Sequence, residues 1–299
     1  MIKMISSKLV KVLKGIRPWS LPMTIFDYIA VVLVTYIIYL KINLTLIVLG
    51  IIGSIFLHIA SNIFNDYFDF KKNIDKEGNV RPYHLIIDKI LSPNITLIFG
   101  FISSAIAIFI GLFLTFNGRP LSIILGLLGF LLAYGYSGFP FYLKYNALGE
   151  ITAYLAWGIV VPLGAYYLAT DKISFVPLIV GLPTSVYLFT VMNINNIRDI
   201  NYDKNSGAKT IAIILGKYKA KMLFFFELFM PYLFVMMGIF VFKVLPITTL
   251  LSNITILYNY VIIRNAINDN LTKLDVNTAM QALLFGVMYT FSIGLTKFL

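Results

Sequence analysis

Apolar stretches of about twenty residues, the length a helix needs to cross bilayer hydrocarbon, recur roughly nine times along this chain. They lie near residues 21–40, 44–66, 95–117, 121–139, 148–169, 173–196, 222–241, 244–264 and 276–297. In lipid, an open strand would leave its backbone polar groups unsatisfied, so each stretch is predicted to be a helix. The 299 residues are 59% hydrophobic and only 12% charged, which excludes a soluble globular core. The expected fold is therefore all-α: a polytopic membrane protein, one domain over residues 1–299, with about nine transmembrane helices.

The few charges say how the chain lies. Residues 1–20 carry Lys3, Lys8, Lys11, Lys14 and Arg17 but no signal-peptide core, and read as an amphipathic helix on the membrane surface. Further basic residues gather in two longer connections, 70–94 and 198–221, while the opposite side keeps only Lys41, Arg119, Lys172, Lys243 and Lys297. The positive-inside rule then puts the N-terminus and both long loops in the cytoplasm of a cell-membrane protein. Topology accounts for most of the net charge of +11, so nucleic acid is not an expected partner. With no cysteine, disulfides and thiolate metal sites are excluded, and two histidines are too few for a histidine-rich zinc site.

Against this apolar background two acidic clusters stand out. The second span ends in Asn62, Asp66 and Asp69, and the sixth ends in Asn195, Asp199 and Asp203. Each set follows helical spacing, so each presents an amide and two carboxylates as one oxygen-rich stripe. The clusters lie four spans apart at the same end of a helix, and each precedes a basic loop. That echo predicts a pseudo-symmetric bundle around a central cavity with a site between its halves.

Facing carboxylate stripes suit a hard cation such as magnesium, which takes oxygen ligands and is commonly shared with substrate phosphates. Lys71, Arg81, Arg198, Lys204 and Lys209 in the adjoining loops can neutralise the remaining phosphate oxygens. Carboxylates, magnesium and basic residues together describe a diphosphate site. At the boundary between water and membrane lipid, the fitting diphosphate is a polyprenyl diphosphate. Acidic groups at helix ends are otherwise often solvated caps, a reading that two matched clusters make hard to sustain.

At these residues the chain resembles the UbiA superfamily of intramembrane prenyltransferases. "NIFNDYFDFKKNID" and "NNIRDINYDKNSGAKTIAIILG" are similar to the two aspartate-rich motifs of that family, and the resemblance covers nearly the whole chain. It implies two magnesium ions bridging the prenyl diphosphate, held by Asn62, Asp66, Asp69, Asn195, Asp199 and Asp203. It also implies diphosphate contacts from Arg17 in "RPWSLPMT" and Lys144 in "YGYSGFPFYLKYNALGE", with Lys144 and Arg198 joining the aspartates in catalysis. Many members carry an acidic residue where this chain has Asn73, with Asp75 two positions later. That shift, "NNIRD" and "ALGE" most resemble the branch that prenylates 1,4-dihydroxy-2-naphthoate for menaquinone. The branch making digeranylgeranylglyceryl phosphate shares much of the pattern, so the lipophilic or aromatic acceptor stays open.

Other readings compete. An ion-coupled secondary transporter also uses repeats and intramembrane carboxylates, but near the bilayer midplane and not beside basic loops. A scaffold needs no paired acidic stripes. His58, one turn before Asn62, and His84, in the first basic loop, have no role the sequence assigns.

Overall fold

The computed structural model describes residues 2–75 and 83–298, with side chains from Lys8 onward. Its helices run in order α1 (Ile2–Gly15), a 3-10 turn (Pro18–Ser20), α2 (Leu21–Tyr39), α3 (Leu44–Lys71), α4 (Pro93–Phe116) and α5 (Leu121–Gly135). Next come α6 (Gly149–Tyr154), a π-helical turn (Leu155–Val160), α7 (Val161–Thr170) and α8 (Val176–Arg198), followed by the short α9 (Ile200–Asn205) and α10 (Ile211–Leu215). The chain closes with α11 (Lys217–Phe240), a 3-10 segment (Ile247–Tyr258), α12 (Asn259–Ile267) and α13 (Leu271–Leu295). Among the described residues the only β pairing is an isolated parallel bridge between Asn146 and Lys209.

Seven helical stretches are long and apolar enough to cross a membrane, and α5 is a shorter apolar helix, so the protein is multi-pass but does not show nine full-length spans among the described residues. The difference arises chiefly at 244–264. Ser252 and Thr255 hydroxyls donate to the carbonyls of Thr249 and Ser252, each three residues earlier and 2.8 Å away. Such local bonds compete with the α ladder, and the run divides into a 3-10 segment and α12.

Capping sets where the spans begin. Asn43 accepts from the Leu46 amide at the start of α3, and Ser92 does the same for Ile95 ahead of Pro93 at the first position of α4. The main core joins Tyr28 of α2, Tyr166 of α7, Tyr187 of α8, Phe224 of α11 and Phe285 of α13. Within it Tyr187 donates to Tyr232 over 2.6 Å, and Gln281 donates to the Thr255 carbonyl over 2.7 Å. Interhelical polar bonds of this kind contribute about 0.6 kcal/mol each in a membrane. The helix α3 joins this core through Ile47 near its start and packs mainly on α4, with Phe64 edge-on to Phe101 of α4 and Tyr134 of α5. Its opposite face is left to line a cavity.

Candidate active site

That face reads Gly50, Gly53, Leu57, Ser61 and Asn65, spaced three or four residues apart along one side of α3. Thr184, Leu188, Val191 and Asn195 form the corresponding face of α8. Between them lies a cavity of about 1100 Å³. Gly50 and Asn65 are about 22 Å apart at the helical rise, a length comparable with most of the roughly 30 Å hydrocarbon thickness of a bilayer. One end is apolar, and the other carries both acidic motifs.

At the motif end, Asp66 is fully buried and takes Arg17 Nη2 at 2.6 Å on one oxygen and the Leu85 amide at 3.2 Å on the other. Arg17 reaches it from a left-handed backbone, φ 59°, a conformation that costs an arginine about 1 kcal/mol or more. Its carbonyl is held there by the Ser20 amide at 2.9 Å and the Ser20 hydroxyl at 2.8 Å. Asp69, also buried, accepts from Lys144 Nζ at 2.6 Å, from Asn65 Nδ2 at 2.9 Å and from the Tyr145 hydroxyl. Burial alone would lower the Lys144 ammonium, but the adjacent Asp69 carboxylate outweighs it and holds the group above its ordinary value, fully charged.

The second motif is more open. Arg198 grips Asp199 with Nε at 2.8 Å and Nη2 at 2.6 Å, and its Nη1 bonds Asp275 of α13. Asn196 donates to the buried Glu150 over 2.6 Å, and Asn193 donates to both oxygens of the buried Glu227. Asn195 lines the cavity with a buried Oδ1 that has no hydrogen-bond partner. The two motifs meet directly where the Tyr202 hydroxyl donates to the Ile74 carbonyl. Backbone bonds also tie the loop after the second motif to the segment bearing Lys144, from Lys209 N to the Tyr145 carbonyl at 3.0 Å and from Ala147 N to the Lys209 carbonyl at 2.8 Å.

Arg17, Asn62, Lys144, Asn195, Arg198, Asp199 and Asp203 thus converge on one cavity wall. Asp66 and Asp69 lie just behind Arg17 and Lys144 and do not line the cavity themselves. Lys71, Lys204 and Lys209 are exposed and outside the cavity wall, Lys71 lying over the Tyr67 ring instead. Arg81 falls outside the described residues. Sequence reasoning passed over Asn65, Tyr145 and Asp275. Asn65 alone left a trace, since it precedes Asp69 by one helical turn.

His84 finds its place as a clasp. Its Nδ1 accepts from the Ile86 and Ile87 amides, so the proton sits on Nε2, which donates to Asp75 over 3.1 Å.

Oxygen donors from both helices fit a hard cation: the unpartnered Asn195 Oδ1 and the carboxylates of Asp199 and Asp203 at the cavity wall, backed by Asp66 and Asp69. No group of three or more His, Cys, Asp or Glu forms a ready-made metal cage among the described residues. This matches a magnesium whose shell is completed by water and substrate oxygens. Crowding of the carboxylates is visible at Asp203. Burial raises its pKa from 3.8 to about 6, Asp199 and Asp69 adding to the rise while Lys144 and Arg198 oppose it.

Because the folded pKa exceeds the unfolded one, the native state binds the extra proton between these values. This contribution to stability is fully present below pH 3.8 and is lost as pH rises through about 6. Asp203→Asn is expected to flatten that part of the stability profile. Thermal unfolding in detergent between about pH 4 and about pH 7 checks this, and an unaltered difference between the two pH values would contradict it.

Comparison with known proteins adds the lineage. Residues 28–293 match the UbiA prenyltransferase family. A 1,4-dihydroxy-2-naphthoate octaprenyltransferase of Bacillus subtilis (strain 168) is 31% identical over 178 residues, 60% of this chain and 57% of that enzyme's length. Among solved structures, a UbiA homolog from Aeropyrum pernix K1 superposes with TM-score 0.69 at 17% identity, over 94% of this chain and 97% of the other. A UbiA homolog from Archaeoglobus fulgidus, bound to DMAPP and Mg2+, gives TM-score 0.55 at 15% identity over 93% and 99%. The chain, with its all-helical fold and its paired aspartate motifs on one cavity, belongs to the UbiA prenyltransferase family.

Proposed function

We propose that the protein transfers a polyprenyl group from polyprenyl diphosphate to the ring of 1,4-dihydroxy-2-naphthoate, using two magnesium ions, in a cell membrane with the motif end facing the cytoplasm. The observation that carries this reading is the single cavity that joins a cation-and-carboxylate end to an apolar bore long enough for an isoprenoid tail. The naphthoate relative and the Mg2+-bound family neighbour support the choice of acceptor and metal.

In this reading Asn62, Asn195, Asp199 and Asp203 would hold magnesium from the cavity wall and Asp66 and Asp69 from behind it, and the ion would supply positive charge for the departing diphosphate. Arg17, Lys144 and Arg198 present fixed positive charge to the same oxygens, and preorganised charge needs no rearrangement during bond breaking. Ala107, Gly126 and Leu132 form dry walls along the tail, keeping water from the allylic carbon as its bond to oxygen breaks. The acceptor's ring carbon then forms the new bond, and in the naphthoate the ring carboxylate leaves as carbon dioxide.

Purified protein in detergent, given a polyprenyl diphosphate with and without magnesium, tests the chemistry. Dihydroxynaphthoate, hydroxybenzoate and geranylgeranylglyceryl phosphate offered side by side test the acceptor. Magnesium-dependent product with the naphthoate is expected; product with only one of the others overturns the acceptor, and no donor consumption overturns the reading.

The bore makes a second expectation. A Cβ built at Gly126 meets no atom within 4 Å, so a side chain there has room to project into the cavity that Gly126 lines. Gly126→Phe should slow a long donor at least about tenfold relative to a two-unit donor, a discrimination in the range of pocket-filling substitutions. Equal slowing of both donors would place the tail elsewhere.

A further inference from the structure

Behind Arg17 and Asn62 runs a chain of hydrogen bonds that no step above uses. Trp157, carried on the π-helical turn, donates its indole N–H to Thr24 Oγ1 over 2.8 Å. Thr24 Oγ1 lies 2.7 Å from His58 Nδ1, and His58 Nε2 lies 3.1 Å from Ser20 Oγ. Ser20 Oγ donates to the Arg17 carbonyl over 2.8 Å, and Asn62 Nδ2 donates both to Ser20 Oγ and to the Ile16 carbonyl, each over 3.1 Å.

Counting protons gives the chain one direction. A serine hydroxyl has a single hydrogen, and the Arg17 carbonyl, which cannot donate, takes it. Ser20 Oγ must therefore accept from His58, which puts the ring proton on Nε2. Nδ1 is then the acceptor for the Thr24 hydroxyl, whose remaining acceptor capacity serves Trp157. Every bond points from Trp157 towards Arg17. With both Ser20 lone pairs filled by His58 and Asn62, the Asn62 amide hydrogens are fully committed, and its carbonyl oxygen is the part left for the cavity that Asn62 lines.

We infer that His58 is a positioning residue for the metal and diphosphate end of the cavity. By donating to Ser20 it fixes the hydroxyl that clamps the left-handed Arg17 backbone and orients the Asn62 amide, so that Asn62 Oδ1 and the Arg17 side chain are presented in register. The π-helical turn serves this end, because it delivers Trp157 to the far end of the chain, edge-on to the His58 ring at 4.9 Å. The inference rests on the reading that this end of the cavity binds magnesium and diphosphate. It differs from simple packing between α2 and α3 in requiring the Nε2 donor specifically.

Calorimetric binding of magnesium together with inorganic diphosphate to the purified protein in detergent tests it without any turnover. His58→Phe and Ser20→Ala are each expected to weaken binding about tenfold, as the loss of one well-placed hydrogen bond does. His58→Gln, which keeps an N–H near the Nε2 position, should stay within about twofold. The pair of changes should together cost about tenfold, because both break the same chain and are not additive. Unchanged binding in either single variant, or an additive loss of about a hundredfold in the pair, overturns the inference. Should His58→Phe fail to fold, Ser20→Ala decides alone, since normal binding there is incompatible with the chain. Absence of magnesium diphosphate binding by the wild-type protein would instead overturn the underlying functional reading.

Discussion

Asp199→Ala is expected to reduce prenyl transfer by at least about a hundredfold while leaving thermal stability unchanged. Asp199 is 41% exposed and its described ion-pair partner, Arg198, retains Asp275. Its removal therefore strands no buried charge, and any loss of turnover reports on the chemistry. Donor consumption at saturating magnesium, beside an unfolding curve, is the measurement; retained turnover would remove Asp199 from the site. Asp66→Ala is not an equivalent experiment. The family resemblance implies that Asp66 holds magnesium, but the carboxylate is fully buried against Arg17 and the Leu85 amide. Breaking such a buried pair costs about 3–5 kcal/mol, so lost activity there would be confounded with lost structure.

Lys144→Met carries the second large effect, and here activity and stability are expected to separate only in a double variant. Methionine fills the volume but removes the cation from Asp69, whose side chain is 3% exposed. An orphaned buried carboxylate should lower stability by about 3 kcal/mol, and loss of the charge facing the diphosphate should reduce donor use by about a hundredfold. Adding Asp69→Asn to Lys144→Met removes the orphaned charge. Stability should then recover while activity stays absent. Recovery of both would show that Lys144 is needed only to neutralise Asp69.

The residues legible in sequence were those whose partners lie on the same helix. Asn62, Asp66 and Asp69 announce themselves by helical spacing, and so do Asn195 and Asp199; the structure puts Asn62, Asn195 and Asp199 on one cavity wall, with Asp66 and Asp69 just behind it. The Asp69 environment was not legible, because Lys144 and Tyr145 join it from a loop some seventy-five residues away. Asp275 was hidden for the same reason, arriving from the last helix to share Arg198. Loop charge reports the side of a membrane but not the direction of a side chain, which is why Lys71 and Lys204 suggested phosphate contacts yet stand away from the cavity wall. Hydropathy likewise marks 244–264 as apolar without distinguishing a 3-10 ladder from an α one.

The backbone bridge between the loops around Tyr145 and Lys209 sets a tolerance rule for evolution and for engineering. Because it is made from main-chain groups, it holds the segment bearing Lys144 to the loop following Asp203 whatever side chain stands at position 209. The exposed Lys209 side chain is thus free to drift. Proline is the exception, since it would delete the amide that bonds the Tyr145 carbonyl and unfasten the two halves of the site.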